Sequence, residues 1–171
     1  MKGFKTLVTL SSFALCLGAA SLASAATIGA PGQTFNTPGG SITVKSPSSY
    51  GAAVTCSIDF HGVVNANGTA TIDGATVSGS NPLCGLPKMK GFPNPGWTLA
   101  LDTNPDNTVT KGTVTNVGYT IAFIPATNCG PTTIDVTWDG TALHATNQAL
   151  SGSCTVVSLD ATPSPAVTVT P

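Results

Sequence analysis

Residues 54–77 limit the fold more than any other stretch. Val54, Cys56, Ile58 and Phe60 fall on one side of a period-two pattern, and Thr55, Ser57, Asp59 and His61 fall on the other. One apolar and one polar face at that period describe a strand half-buried in an antiparallel sheet. Asn67-Gly68 supplies two residues that readily take the positive φ values of a type I′ turn, and residues 69–77 return as a second β run. Setting Ile58 opposite Val77 also puts Val63 opposite Ile72 on the other face. The pairing therefore requires a bulge near Gly62 or a longer loop through Asn65.

Similar short runs follow along the chain. Residues 41–45, 97–102, 108–115, 117–124, 132–138, 141–147 and 153–159 alternate or are rich in Thr and Val, and turn residues separate them. Around Asp139-Gly140 a two-residue loop sets Val136 opposite Leu143, Ile134 opposite Ala145, and Asp135 opposite His144. No convincing helix interrupts the series. About nine short strands predict an all-β protein, an antiparallel β-sandwich or a flattened barrel.

The amino terminus reads as a targeting segment. Lys2 and Lys5 precede a mostly apolar run, and Ala23-Ser24-Ala25 is a small-residue cleavage site, so residues 1–25 are expected to be a secretory signal peptide. Residues 26–40 then form a flexible arm or edge strand, and residues 41–171 a single β-sandwich domain. No other stretch has the length and apolarity of a transmembrane helix. The expected destination is extracellular, with the periplasm as the alternative.

Cys56, Cys84, Cys129 and Cys154 remain after that cleavage. An even number in an exported chain implies two disulfides, for which three connectivities exist; the sequence-local one closes two loops of similar size. A zinc site lacks the closely spaced cysteine pairs that knuckles require.

Charge excludes one large class of partner. Beyond residue 25 four lysines face seven aspartates, with no arginine or glutamate, too few cations for electrostatic binding of nucleic acid. Catalytic constellations are equally scarce. His61 and His144 are the only imidazoles, and His144 has a structural explanation beside an aspartate. Asp102 and Asp106 bracket a turn without the ligand spacing of an EF-hand. No enzyme activity, metal or cofactor is expected. Asn67-Gly68-Thr69 fits a glycosylation sequon, but a turn accounts for it.

Residues 81–96 are irregular and carry four prolines. Within them Lys88, Met89, Lys90 and Phe92 mix cations with apolar side chains, a candidate contact surface for an apolar phase or partner. At the other end Val167 and Val169 belong to a Val/Thr run that closes its own sheet or is donated as a strand to a neighbour.

Cys56-x-x-x-Phe60-x-Gly62-Val63-Val64-Asn65-Ala66-Asn67-Gly68-Thr69 resembles the corresponding stretch of the bacterial exported proteins called alkane-oxidation protein activator PraB. Pro95 to Thr98, Asn128-Cys129-Gly130-Pro131, Gly152-Ser153-Cys154-Thr155 and the Val/Thr/Pro tail are similar too. The resemblance implies an extracellular, non-enzymatic accessory protein that promotes growth on hydrocarbons by acting at hydrophobic surfaces as a surface-active or emulsifying agent. Two other readings stand beside it. One is a self-assembling fibre or biofilm-matrix subunit built by strand addition. The other is a ligand-binding sandwich with Trp97, Trp138 and Tyr119 as platforms.

Overall fold

The computed structural model describes residues 24–171, so the expected signal peptide lies almost wholly outside the described residues. Eight long strands follow one another: β1 (Gly40–Lys45), β2 (Ala53–Val64), β3 (Ala70–Ser78), β4 (Trp97–Thr103), β5 (Val109–Ile121), β6 (Thr127–Trp138), β7 (Leu143–Leu150) and β8 (Cys154–Ala161). Each pairs antiparallel with the next, and β8 pairs with β1, with Val156 opposite Val44 and Leu159 opposite Ile42. The expected sandwich is therefore corrected to its alternative, a closed up-and-down barrel with additional short strands. A sandwich leaves edges between two sheets, whereas closure of β8 on β1 makes one continuous sheet around one interior.

Alternation fills that interior. Along β2, Val54, Cys56, Ile58, Phe60 and Val64 are buried, and Thr55, Ser57 and His61 are exposed. Along β6, Ile134, Val136 and Trp138 point inward, and Thr133, Asp135 and Thr137 point outward. An apolar inside and a polar outside reverse the pattern of a lipid-embedded barrel. Among the described residues no helix is long and apolar enough to cross a membrane.

Ile58 does oppose Val77, and a bulge between His61 and Gly62 restores the faces by bringing Gly62 opposite Ile72. The turn differs from the type I′ expectation. Asn65 N–H donates to Thr69 O, Gly68 N–H donates to Asn65 O, and only Gly68 of the central residues has positive φ, at +81°. That is a three-residue loop ending in a bulge. Its side chains fix it: Asn65 Nδ2 donates to the hydroxyls of Thr69 and Thr71, and Thr69 Oγ1 donates to Asn67 Oδ1. The same device recurs between β4 and β5, where Asn104 bonds Thr108 and Thr110, and Thr108 bonds Asp106.

The β6–β7 register is also corrected. Trp138 opposes Leu143 and Thr137 opposes His144, so four residues rather than two form the loop. Asp139 Oδ1 accepts from the amides of Thr141 and Ala142 at 2.7 Å each, and this capture draws two more residues into the turn. His144 consequently meets Asp139 and Asp160 instead of Asp135.

The local disulfide connectivity is the one present. Cys56–Cys84 pins the β3–β4 loop to β2, and Cys129–Cys154 joins β6 to β8 across β7.

One end of the barrel is plugged. The turns after β2, β4 and β6 lie there, with the segment preceding β1 and the tail following β8. Ala26, Ile28 and Phe35 are buried against the core, Thr34–Asn36 pairs with β2, and Val169–Thr170 pairs with Thr27–Ile28. Ser24–Ala25 pairs with the end of β4, and Ala26 N–H donates to Leu101 O.

Candidate functional site

The opposite end is formed by the loops after β1, β3, β5 and β7, and its surface is different in kind. The large apolar side chains exposed among the described residues are Ile124 (87%), Tyr50 (81%), Phe123 (49%) and Leu86 (40%), and all four fall in these loops. The loops contain no carboxylate, while Lys88 and Lys90 lie within them and Lys45 at their border. The aspartates lie along the strands or toward the plug.

Sequence explains how the tip is held. After β1 a single 3-10 turn, Pro47–Ser49, leads to Tyr50 at φ +52°, a left-handed conformation unusual for a bulky residue. Ser48 is buried, and its N–H donates to Thr127 Oγ1 at 2.9 Å while its hydroxyl donates to Pro125 O at 2.8 Å. The Tyr50 turn is thereby tied to the Phe123–Ile124 turn across the barrel mouth. Tyr50 is displayed at the cost of a strained backbone, and large apolar side chains gathered in solvent at one end call for a functional explanation.

Below this tip the barrel contains an apolar cavity of about 110 Å³ running along the lumen. Its wall is almost entirely hydrocarbon, interrupted near the tip by Tyr119. That side chain is 7% exposed, and its phenolic oxygen lies beside the Ser46 hydroxyl, which opposes the effect of burial on its pKa, but has no partner in full hydrogen-bond geometry. Burial pushes the Tyr119 pKa up to about 12, so the phenol is neutral and available as a donor at physiological pH.

The wall is incomplete at one place. β4 pairs with β3 only through Ala70, Thr71 and Ile72, so the upper half of β3 has no strand on that side. The β3–β4 loop crosses the gap, and within it Lys88–Met89 pairs with Thr120 and Tyr119 of β5. Val77, Leu83, Pro87 and Met89 line this gap, each half-buried.

Of the sequence candidates in that loop, Lys88 is exposed and the others turn toward their own chain. Met89 faces the lumen, Lys90 Nζ donates to Gly130 O at 2.6 Å, and Phe92 packs on Trp97 with ring centroids 4.8 Å apart. Trp97 Nε1 donates to Lys90 O. Trp97, Trp138 and Tyr119 are all buried in the lumen wall. Val167 and Val169 pack against the plug, so donation of the tail to a neighbour would first have to break its pairing with Thr27–Ile28. The sequence reading missed Tyr50 and Ile124, and it placed Phe123 in a strand that ends at Ile121. Phe-Ile directly before Pro125 was the available signal for an apolar turn.

His144 and its two aspartates form the densest polar cluster, with Nδ1 2.7 Å from Asp160 and Nε2 3.0 Å from Asp139. Hydrogen bonds donated by the imidazole to the Asp139 and Asp160 carboxylates raise its pKa, and amide donors hold that of Asp139 well below the usual carboxylate range. With both ring nitrogens occupied, the cluster ties β7 to β8 and the hairpin turn. Among the described residues no group of three His, Cys, Asp or Glu side chains has a metal-binding arrangement.

A family model described as alkane oxidation protein activator PraA/PraB-like matches residues 1–171, the whole chain. The chain belongs to this family. No curated protein and no solved structure matches it. The family therefore supplies a link to alkane oxidation and no assigned residues, so the barrel's geometry must carry any finer reading.

Proposed function

We propose that this member of the PraA/PraB-like family is an exported, non-enzymatic accessory factor that settles on hydrocarbon surfaces through the Tyr50, Phe123 and Ile124 end of its barrel. The observation that carries this reading is the collection of the exposed large apolar side chains in loops at one end, with no carboxylate among them. Aspartates there would have to be dehydrated on contact with oil, whereas lysines reach back to water on long stems. Burying Ile124 and the exposed portions of Tyr50 and Phe123 offers roughly 3–5 kcal/mol of transfer free energy, enough for reversible adsorption. Two disulfides suit an oxidising destination outside the cytoplasm and a scaffold that resists unfolding at an interface.

Surface tension and hexadecane emulsification with purified protein beginning at Ala26 test the reading. Wild type should lower tension and stabilise droplets, and the double substitution Phe123→Ser with Ile124→Asp should abolish both while circular dichroism stays unchanged. Activity of the wild type no greater than that of an inert control protein sinks the reading.

A further inference from the structure

The cavity suggests a second activity, distinct from adsorption at a surface. Three properties define what it can hold. First, its lining contains no charged side chain, so a carboxylate or ammonium inside would lie far from any counter-ion and pay the full cost of dehydration. Second, the remaining polar groups on the wall for which a partner is needed are largely satisfied: Thr37 Oγ1 accepts from Phe60 N–H at 2.8 Å, and Trp97 Nε1 donates to Lys90 O at 2.9 Å. Tyr119 Oη is the exception, a buried hydroxyl on the cavity wall beside the Ser46 hydroxyl but with no partner in bonding geometry. Third, the side wall is weakest at one place, where the unpaired upper half of β3 faces a loop and half-buried Val77, Leu83 and Met89 take the place of a hydrogen-bonded strand.

We propose that the lumen is a binding site for a neutral alkyl compound with one terminal oxygen, a primary alcohol or an aldehyde, whose oxygen completes the hydrogen bonding of Tyr119 Oη. A pure hydrocarbon fills the space but leaves the phenol unpaired, and an acid brings a charge the wall cannot compensate. Size follows from the volume. A cavity of roughly 150 Å³ accommodates benzene, so about 110 Å³ holds roughly four or five non-hydrogen atoms. That is a molecule the size of 1-butanol, and the remainder of a longer chain passes out between β3 and Met89.

The test compares near-isosteric probes on the intact protein. 1-Butanol, n-pentane and butyrate are titrated separately while the methyl resonances of Leu101, Val114, Ile121 and Val156 are followed by NMR. In wild type 1-butanol and pentane shift these lumen methyls and butyrate does not. Tyr119→Phe weakens 1-butanol by roughly two- to tenfold and leaves pentane unchanged or tighter, because it removes one hydrogen bond and nothing else. An equal effect on both probes, unmoved lumen methyls, or butyrate binding as tightly as 1-butanol overturns the proposal. So does a lowered melting temperature in Tyr119→Phe, which would mean that the hydroxyl already has a partner. Ile124→Asp, at the tip, leaves 1-butanol binding unaltered, so failure of this site and failure of surface adsorption are separately visible.

Discussion

The two disulfides close loops of nearly equal length, with sequence separations of 28 and 25 residues. If each acted only by restricting the unfolded chain, both would contribute about 3.5 kcal/mol and their removal would be indistinguishable. Their surroundings differ. Cys129 and Cys154 are buried in the main core, beneath the seam with the shortest ladder: β6 and β7 pair only at Thr137–His144 and Trp138–Leu143. Further along that seam the Gln148 side chain bonds Asp135 N–H in place of a backbone pair. Replacing both cysteines by alanine also vacates packed volume, adding roughly 1–2 kcal/mol. The expected loss is about 5 kcal/mol, a large part of the stability of an ordinary domain.

Cys56–Cys84 belongs to a small satellite cluster with Val54. Without it, residues 79–87 can lift away while Lys90, Phe92 and Trp97 continue to hold the rest of the loop. Such local release lowers the free energy of the folded variant, so about 3.5 kcal/mol is an upper limit to its cost. Urea denaturation of the two double-alanine variants, with hydrogen exchange measured alongside, separates the cases. Removal of Cys129–Cys154 should cost more and speed exchange along β6 and β7, whereas removal of Cys56–Cys84 should speed exchange mainly within 79–87. A greater loss from the Cys56–Cys84 variant, or exchange spreading from it to the β6–β7 seam, would refute this account of the barrel.

Three further outcomes are expected. The His144 imidazole has a raised folded pKa, so its contribution is complete below the unfolded value near 6.5 and disappears as pH rises through the folded one. Asp139 has a lowered pKa, so its contribution is present above 3.8 and disappears on acidification. Melting temperature should therefore peak between these values and decline toward pH 8, and His144→Gln should flatten that decline; a wild-type profile rising from pH 6 to 8 contradicts it. Tyr50→Asn relieves a left-handed backbone position and should raise stability by about 0.5–1 kcal/mol while weakening emulsification, a trade-off that calorimetry and droplet assays read separately. Leu101→Ala, at 1% exposure in the lumen, should cost about 2–5 kcal/mol in chemical denaturation, with a smaller loss meaning that the lumen collapses readily.

How far the sequence discloses all this varies with the range of the interaction. The period-two alternation of residues 54–60, the bulge beside Gly62 and the strand series are local, and local pattern displays them. Turn geometry departs from dipeptide preferences because these ignore the side chains around them. Asn65-Ala66-Asn67-Gly68-Thr69-Ala70-Thr71 and Asn104-Pro105-Asp106-Asn107-Thr108-Val109-Thr110 share an Asn, an Asx two residues on, and two spaced threonines, and each closes through the same bonds. That repeat was on display in the sequence and would have given both loops correctly. Closure was not. Strands with one apolar face read alike in a sandwich and a barrel, and the choice depends on β1 meeting β8, a pairing between residues more than a hundred positions apart in the chain.

That distant pairing also changes what the molecule can do. A sandwich of these strands would bury its aromatic residues between two sheets and leave edges at both sides, favouring assembly by strand addition. Closing the sheet leaves the upper half of β3 as an unpaired stretch, places Tyr119 on the wall of an interior space, and assigns the hairpin loops to two opposed ends. Three of the turns at one end are saturated with Asx–Thr hydrogen bonds and covered by the two terminal segments. The other end is left to carry Tyr50, Phe123 and Ile124 into solvent. If both proposals hold, oil contact at that end would bring an alkyl phase toward the incomplete wall beside Met89, and adsorption and entry into the lumen would share a single approach. A variant that adsorbs normally but has the wall sealed, such as Val77→Trp, should keep its emulsifying effect and lose access of 1-butanol to Tyr119. If sealing the wall leaves 1-butanol access intact, the ligand enters by another path and the two features are merely neighbours.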